Sequence, residues 1–126
     1  MAAADTIEVP HLGGIQAGYK LSKSFDKSKP TCVLINSMCM TVSLYNAQFE
    51  STALSHAMNL LAIEPLGHGS TSAKVQHFTY WDTAIMALQV MDKLGIEKAF
   101  ALGTSQGGWM VARMALLAPE RVSKFI

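Results

Sequence analysis

The stretch that decides the fold is "AFALGTSQGGWM", residues 99–110. A short apolar run enters a serine held between glycines, and a helix-forming run leaves it. Gly103-Thr104-Ser105-Gln106-Gly107 fits G-x-S-x-G, a pattern that means something only between a strand and a helix. A turn that sharp holds the serine in a strained backbone conformation and brings positions 103 and 107 together. A side chain at either would clash, so both are glycine. Gly108 adds a second small residue where the helix packs on the sheet. The result is a hydroxyl on Ser105 just ahead of a helix N-terminus, whose partial positive charge favours a developing oxyanion. The N–H of Gln106, the next residue, is then one oxyanion donor. An ordinary Gly/Ser turn matches the same five letters, but the flanking strand, helix and extra glycine favour the functional reading.

Working outward, "TCVLIN", "NLLAIEP" and "KAFALG" are continuous apolar runs without alternation, as strands buried on both faces of a parallel sheet require. "RVSKFI" opens a fourth such strand. "DTIEVPHLGGIQAGYKLS" predicts a hairpin around Gly13 and Gly14. "VSLYNAQFESTALSHA" allows a helix through Leu44, Phe49 and Leu54. "YWDTAIMALQVMDKLG" predicts a strong one, with Trp81, Ile85, Leu88 and Met91/Asp92 at helical spacing and Gly95 as its stop. "QGGWMVARMALLA" predicts another, ended by Pro119. Strand and helix alternate, so the predicted fold class is α/β, a doubly wound and mostly parallel sheet. Residues 1–30 form an N-terminal hairpin and linker, and residues 31–126 the core βαβ units of one domain. The sheet reads as cut short at the start of its sixth strand.

At 126 residues, with half of them hydrophobic and 15% charged, the chain suits one deeply buried sheet. A net charge of +1 and no Lys/Arg run exclude a nucleic-acid footprint. No apolar run approaches membrane-spanning length. Cys32 and Cys39 lack metal spacing and no secretory leader precedes them, so buried thiols in an intracellular, reducing compartment are expected.

These motifs resemble the α/β-hydrolase superfamily from about Thr31 onward. "LAIEPLGHGSTS" is similar to the family's loop after strand 4, with Glu64 in place of an aspartate and His68 ordering the turn. "DKLGIEKAFALGTSQGGW" and "ALLAPERV" follow its helix, strand, elbow and helix ending. The resemblance implies Ser105 as nucleophile and a second oxyanion donor in the loop "INSMCMT", the N–H of Met38 by alignment. Asn36-Ser37, where His-Gly usually stands, resembles the 3-oxoadipate enol-lactone hydrolase branch. Alternatively, the pair only satisfies turn hydrogen bonds. Cys39 reads as a small apolar filler or a thiol near the pocket. Trp109 and the methionines suit core packing, Trp109 also the substrate pocket, and His11, His56 and His77 have no assigned role.

The resemblance implies acyl transfer to a small-molecule substrate, an ester, lactone or thioester, with no cofactor and no metal. It also exposes a gap. The family's chain order is Ser, then Asp or Glu, then His, yet only Glu120 is acidic after Ser105 and no histidine follows. Glu120 belongs to the helix-ending signature, so triad acid and base are absent from this chain. The expected alternative is a truncated, non-catalytic pseudoenzyme or interaction fragment, self-associating through an exposed sheet edge; a carrier using the same pocket is a further one. "NSMCMTVSLYNAQFE", "EPLGHGSTS" and "GTSQGGWMVARMALLAPERV" are also similar to hydrolases of fungal secondary-metabolite clusters, including those making host-selective toxins. Several of those are peroxisomal, but "SKFI" is no such tripeptide.

Overall fold

A computed structural model describes residues 4–126. Strands β1 (Asp5–Val9) and β2 (Ile15–Leu21) pair antiparallel as the expected hairpin. Their turn passes through Leu12, Gly13 and Gly14, all at positive φ. The linker is pinned from within: the buried Asn59 side chain donates to the Asp26 carbonyl and accepts from the Asp26 N–H.

Strand β3 (Thr31–Ile35) is followed by a 3-10 turn at Val42–Tyr45, α1 (Asn46–Glu50), α2 (Thr52–Ala57) and β4 (Asn59–Ile63). The helix expected over residues 42–57 is therefore broken in three. Ser51 makes the second break: its extended backbone ends α1, and its hydroxyl caps α2 by accepting from the Leu54 N–H. A two-residue strand, β5 (Ser72–Ala73), pairs with β2 and has no apolar signature in the sequence. Then come α3 (Tyr80–Lys93), β6 (Ala99–Gly103), α4 (Gln106–Leu117) and β7 (Val122–Phe125).

The sheet order is β1-β2-β4-β3-β6-β7, with β4, β3, β6 and β7 parallel. From β3 the chain moves first to β4 on one side and then across to β6 on the other. This reversal opens a crevice at the carboxyl ends of β3 and β6, where α/β sheets place their sites. The two faces carry separate cores. Val33, Ile35, Leu61 and Ile63 pack with Met86, Val90, Met110 and Met114 of α3 and α4. On the other face, Leu34, Leu60 and Ala62 meet Val42 and Tyr45.

Burial departs from the simple sequence pattern in two places. The covered face of α3 is Thr83, Ala84, Met86, Ala87, Val90 and Met91, while Trp81 is exposed and stacks under Arg113 at 5.1 Å. The face close to the sheet mixes small Ala84 and Ala87 with fully buried Met86, Val90 and Met91. Strand β6 is buried chiefly on its α4 side, because Phe100 on the other face is exposed, as are Phe125 and Ile126. An apolar groove of about 800 Å³ runs there past Cys32, Leu60, Phe100 and Phe125. Ser105 does not line it.

Helix α3 begins with a capping box, in which the Thr79 N–H donates to Asp82 Oδ2 at 2.7 Å. Asp82 Oδ1 meets the ring of His11 at 2.8 Å, so His11 ties the hairpin turn to this helix rather than lying free on the surface. Burial pushes the Asp82 carboxyl up, but the Thr79 N–H, the His11 ring and the Thr79 hydroxyl outweigh it and hold the pKa below the ordinary 3.8. A depressed folded pKa stabilises the fold above the ordinary carboxylate range and loses that stability as pH falls. Asp82→Ala is expected to lose about 1 kcal/mol at pH 7. In urea unfolding, its deficit against the unmodified chain should shrink below about pH 4.

Candidate active site

Ser105 sits between β6 and α4 with φ 54° and ψ −119°, a conformation open mainly to glycine. Its side chain is exposed and makes no capping hydrogen bond, so the helix does not use the hydroxyl. The flanking glycines explain why the turn closes. A Cβ on Gly103 would overlap the Gly107 backbone, and one on Gly107 would overlap the Ile35 carbonyl. Gly108 is different: a Cβ there would rest 3.5 Å from the Gly103 oxygen, an ordinary contact, so close packing does not demand this glycine.

The elbow is joined directly to the end of β3. The Thr104 N–H donates to the Ile35 carbonyl at 3.0 Å. The Tyr45 hydroxyl donates to the same carbonyl at 2.8 Å and accepts from the Thr104 hydroxyl at 2.9 Å. Burial pushes the Tyr45 hydroxyl above its ordinary pKa, which keeps it protonated for that role. Sequence reasoning missed Tyr45, because its segment carries no clean helical period and tyrosine alone signals nothing.

Past β3, the buried Asn36 side chain donates to the carbonyls of Ser37 at 3.1 Å and Met40 at 2.8 Å. The turn closes with the Met40 N–H on the Ser37 carbonyl and with Cys39 at φ 61°. Met38 projects outward, 60% exposed. Among the described residues, the N–H groups of Met38 and Gln106 donate to no protein acceptor. These two free donors lie just past the ends of β3 and β6, the two strands that border the crevice.

Beneath the serine, the Gln106 side chain is buried and tethered at both ends. Its carbonyl accepts from the Tyr80 hydroxyl at 3.3 Å, and its amide meets His68 Nε2 at 3.2 Å. His68 Nδ1 lies 3.0 Å from the Leu66 carbonyl, which can only accept, so the ring proton sits on Nδ1. His68 therefore orders the turn, as expected. Glu64 organises two loops at once: one carboxylate oxygen accepts from the Ser70 N–H at 2.6 Å and the other from the Val42 N–H at 3.2 Å. Its own carbonyl accepts from the Thr71 hydroxyl, which in turn accepts from the Gly18 N–H.

Three readings are corrected. Cys39 is exposed, not buried, because the turn carries it outward. Cys32 is half-buried, and burial pushes its thiol pKa up. Trp109 is 65% exposed and packs in no core, whereas Met86, Met91, Met110 and Met114 do.

The fold and this elbow define a class in which a strand-turn-helix presents a nucleophile. The α/β hydrolase fold model matches residues 30–126, and the chain belongs to that family. It is 35% identical over 79 residues to the dihydrolipoyllysine-residue acetyltransferase component of the acetoin cleaving system of Cupriavidus necator, covering 63% of this chain and 21% of that one. A hydrolase from Pseudomonas aeruginosa superposes with a TM-score of 0.82 at 27% identity, covering 98% of this chain and 45% of that one. The enol-lactonase from Burkholderia xenovorans superposes with a TM-score of 0.82 at 25% identity, covering 94% and 45%. The chain thus spans about a fifth of that curated relative and under half of either solved chain.

Proposed function

We propose that the chain is the nucleophile-bearing part of a serine hydrolase that transfers acyl groups from an ester, lactone or thioester. One observation carries this reading: Ser105 is strained and exposed at the turn after β6, and the N–H groups of Gln106 and, on the adjoining β3 loop, Met38 are unengaged. Attack by Ser105 Oγ on the acyl carbonyl, its proton passing to a base, would form a tetrahedral oxyanion held by those two donors. Its collapse would break the bond to the alcohol or thiol, which leaves with that proton. Water would then hydrolyse the acyl-serine to release the acid and restore the hydroxyl. The likeness to an enol-lactonase and to acyl-transferring proteins supports the class of bond. The resemblance to fungal toxin-cluster hydrolases supports a role in secondary metabolism.

An alcohol needs a base to become a nucleophile, and these 126 residues hold no histidine after Ser105. His68 Nε2 is engaged by the Gln106 side chain. Removing a triad base lowers turnover by several orders of magnitude. The test supplies the base from solution. Purified chain is incubated with an activated acetyl ester, with and without imidazole, and acylation is read by mass spectrometry. Negligible turnover is expected without imidazole, and with it an acetyl adduct on Ser105 that Ser105→Ala abolishes. No adduct under either condition would contradict the reading and leave a non-catalytic fragment. Robust Ser105-dependent turnover without imidazole would contradict the missing base.

A further inference from the structure

We propose that Asn36 is the positioning residue that aims the Met38 N–H, an inference that rests on the nucleophile reading above. Asn36 is fully buried, and its Oδ1 has no hydrogen-bond partner among the described residues. An unpaired buried acceptor destabilises a fold, and an apolar side chain of similar size would avoid the loss. Packing alone therefore does not favour asparagine here. Its two donors have a definite task, since they hold the carbonyls of Ser37 and Met40, the first and last residues of the turn.

The consequence follows from peptide geometry. The Ser37 carbonyl and the Met38 N–H belong to one peptide unit, and no peptide bond of the described chain is cis. In a planar trans unit the C=O and N–H point in opposite directions. Drawing the Ser37 oxygen onto the buried amide therefore turns the Met38 N–H away from the protein interior. That N–H accordingly finds no internal acceptor. Across the crevice, Gly107 packs against the Ile35 and Asn36 carbonyls, which keeps the elbow in register with this turn. Asn36 thus acts through Met38 and not on a substrate.

The experiment compares unmodified chain, Asn36→Leu and Ser105→Ala with phenylboronic acid, which adds to an exposed serine as a tetrahedral anion. Amide hydrogen exchange is followed at Met40, with Val90 in α3 as internal reference. Asn36→Leu is expected to speed Met40 exchange about tenfold and to weaken boronate binding about tenfold, with Val90 exchange unchanged. Unchanged boronate affinity, or unchanged Met40 exchange, in a folded Asn36→Leu chain overturns the proposal. The unmodified chain gives a second check that needs no variant. Its Asn36 side-chain amide protons are expected to exchange slowly and to show scalar coupling to the Ser37 and Met40 carbonyls; rapid exchange overturns the proposal too. Boronate binding that persists in Ser105→Ala would count against the nucleophile reading, while the exchange data still judge the clamp.

Discussion

Gly107→Ala is expected to destabilise the chain by at least about 3 kcal/mol, while Gly108→Ala should be neutral or slightly stabilising. The two glycines are adjacent in one helix, and their surroundings make the difference. A Cβ at 107 would overlap the Ile35 carbonyl, backbone that is itself held by the Thr104 N–H and the Tyr45 hydroxyl. The atoms it would strike belong to the Ile35 and Asn36 backbone, not to a flexible side chain that can swing aside. The strain of overpacking reaches about 1–3 kcal/mol where neighbours can yield, and here they cannot. At 108 the Cβ meets an ordinary 3.5 Å contact, so alanine brings only its better helix propensity, about 0.5–1 kcal/mol. Urea unfolding of the two variants measures both numbers. Equal losses would mean that the elbow does not press against β3.

Glu64→Ala is expected to lose about 3 kcal/mol by the same assay. Its carboxylate is 2% exposed and bridges the Ser70 and Val42 N–H groups, so truncation strands two backbone donors. Each buried donor left unpaired costs about 1–3 kcal/mol. Glu64→Gln keeps one acceptor oxygen and the side chain's volume, and should retain more stability than alanine. Because Val42 follows the Ser37–Met40 turn and Ser70 follows the His68 turn, the alanine variant should also loosen both loops. A loss below about 0.5 kcal/mol would show that water satisfies these donors.

Much of this was legible because some residues have few physical alternatives. Apolar runs without alternation fit buried parallel strands, and β3, β4, β6 and β7 lie where those runs are. Gly103 and Gly107 were readable from the motif because no side chain fits either position. Gly108 was misread, because the sequence cannot distinguish a required glycine from a tolerated one. The period of α3 marked the helix but not its covered face: Met91 is buried and Leu88 packs on the core, while Trp81 is exposed and Ala84, Met86, Ala87 and Val90 complete the face. Long-range hydrogen bonds were least visible. Tyr45 to Thr104 and Gln106 to His68 join residues distant in the chain, and nothing local marks them. Asn36 was read as either a branch marker or a turn former, and its side chain bonds the turn.

Ser105 is held in a conformation that disfavours any side chain, and stability measures this directly. At φ 54° and ψ −119° glycine is at ease and other residues are strained by about 1–3 kcal/mol. The hydroxyl makes no capping bond that glycine would lose. Ser105→Gly should therefore raise the free energy of unfolding by about 1 kcal/mol, while Ser105→Ala leaves it unchanged. A Ser105→Gly chain less stable than the unmodified one would mean that the backbone at this position is unstrained, and that the serine is not displayed at an elbow.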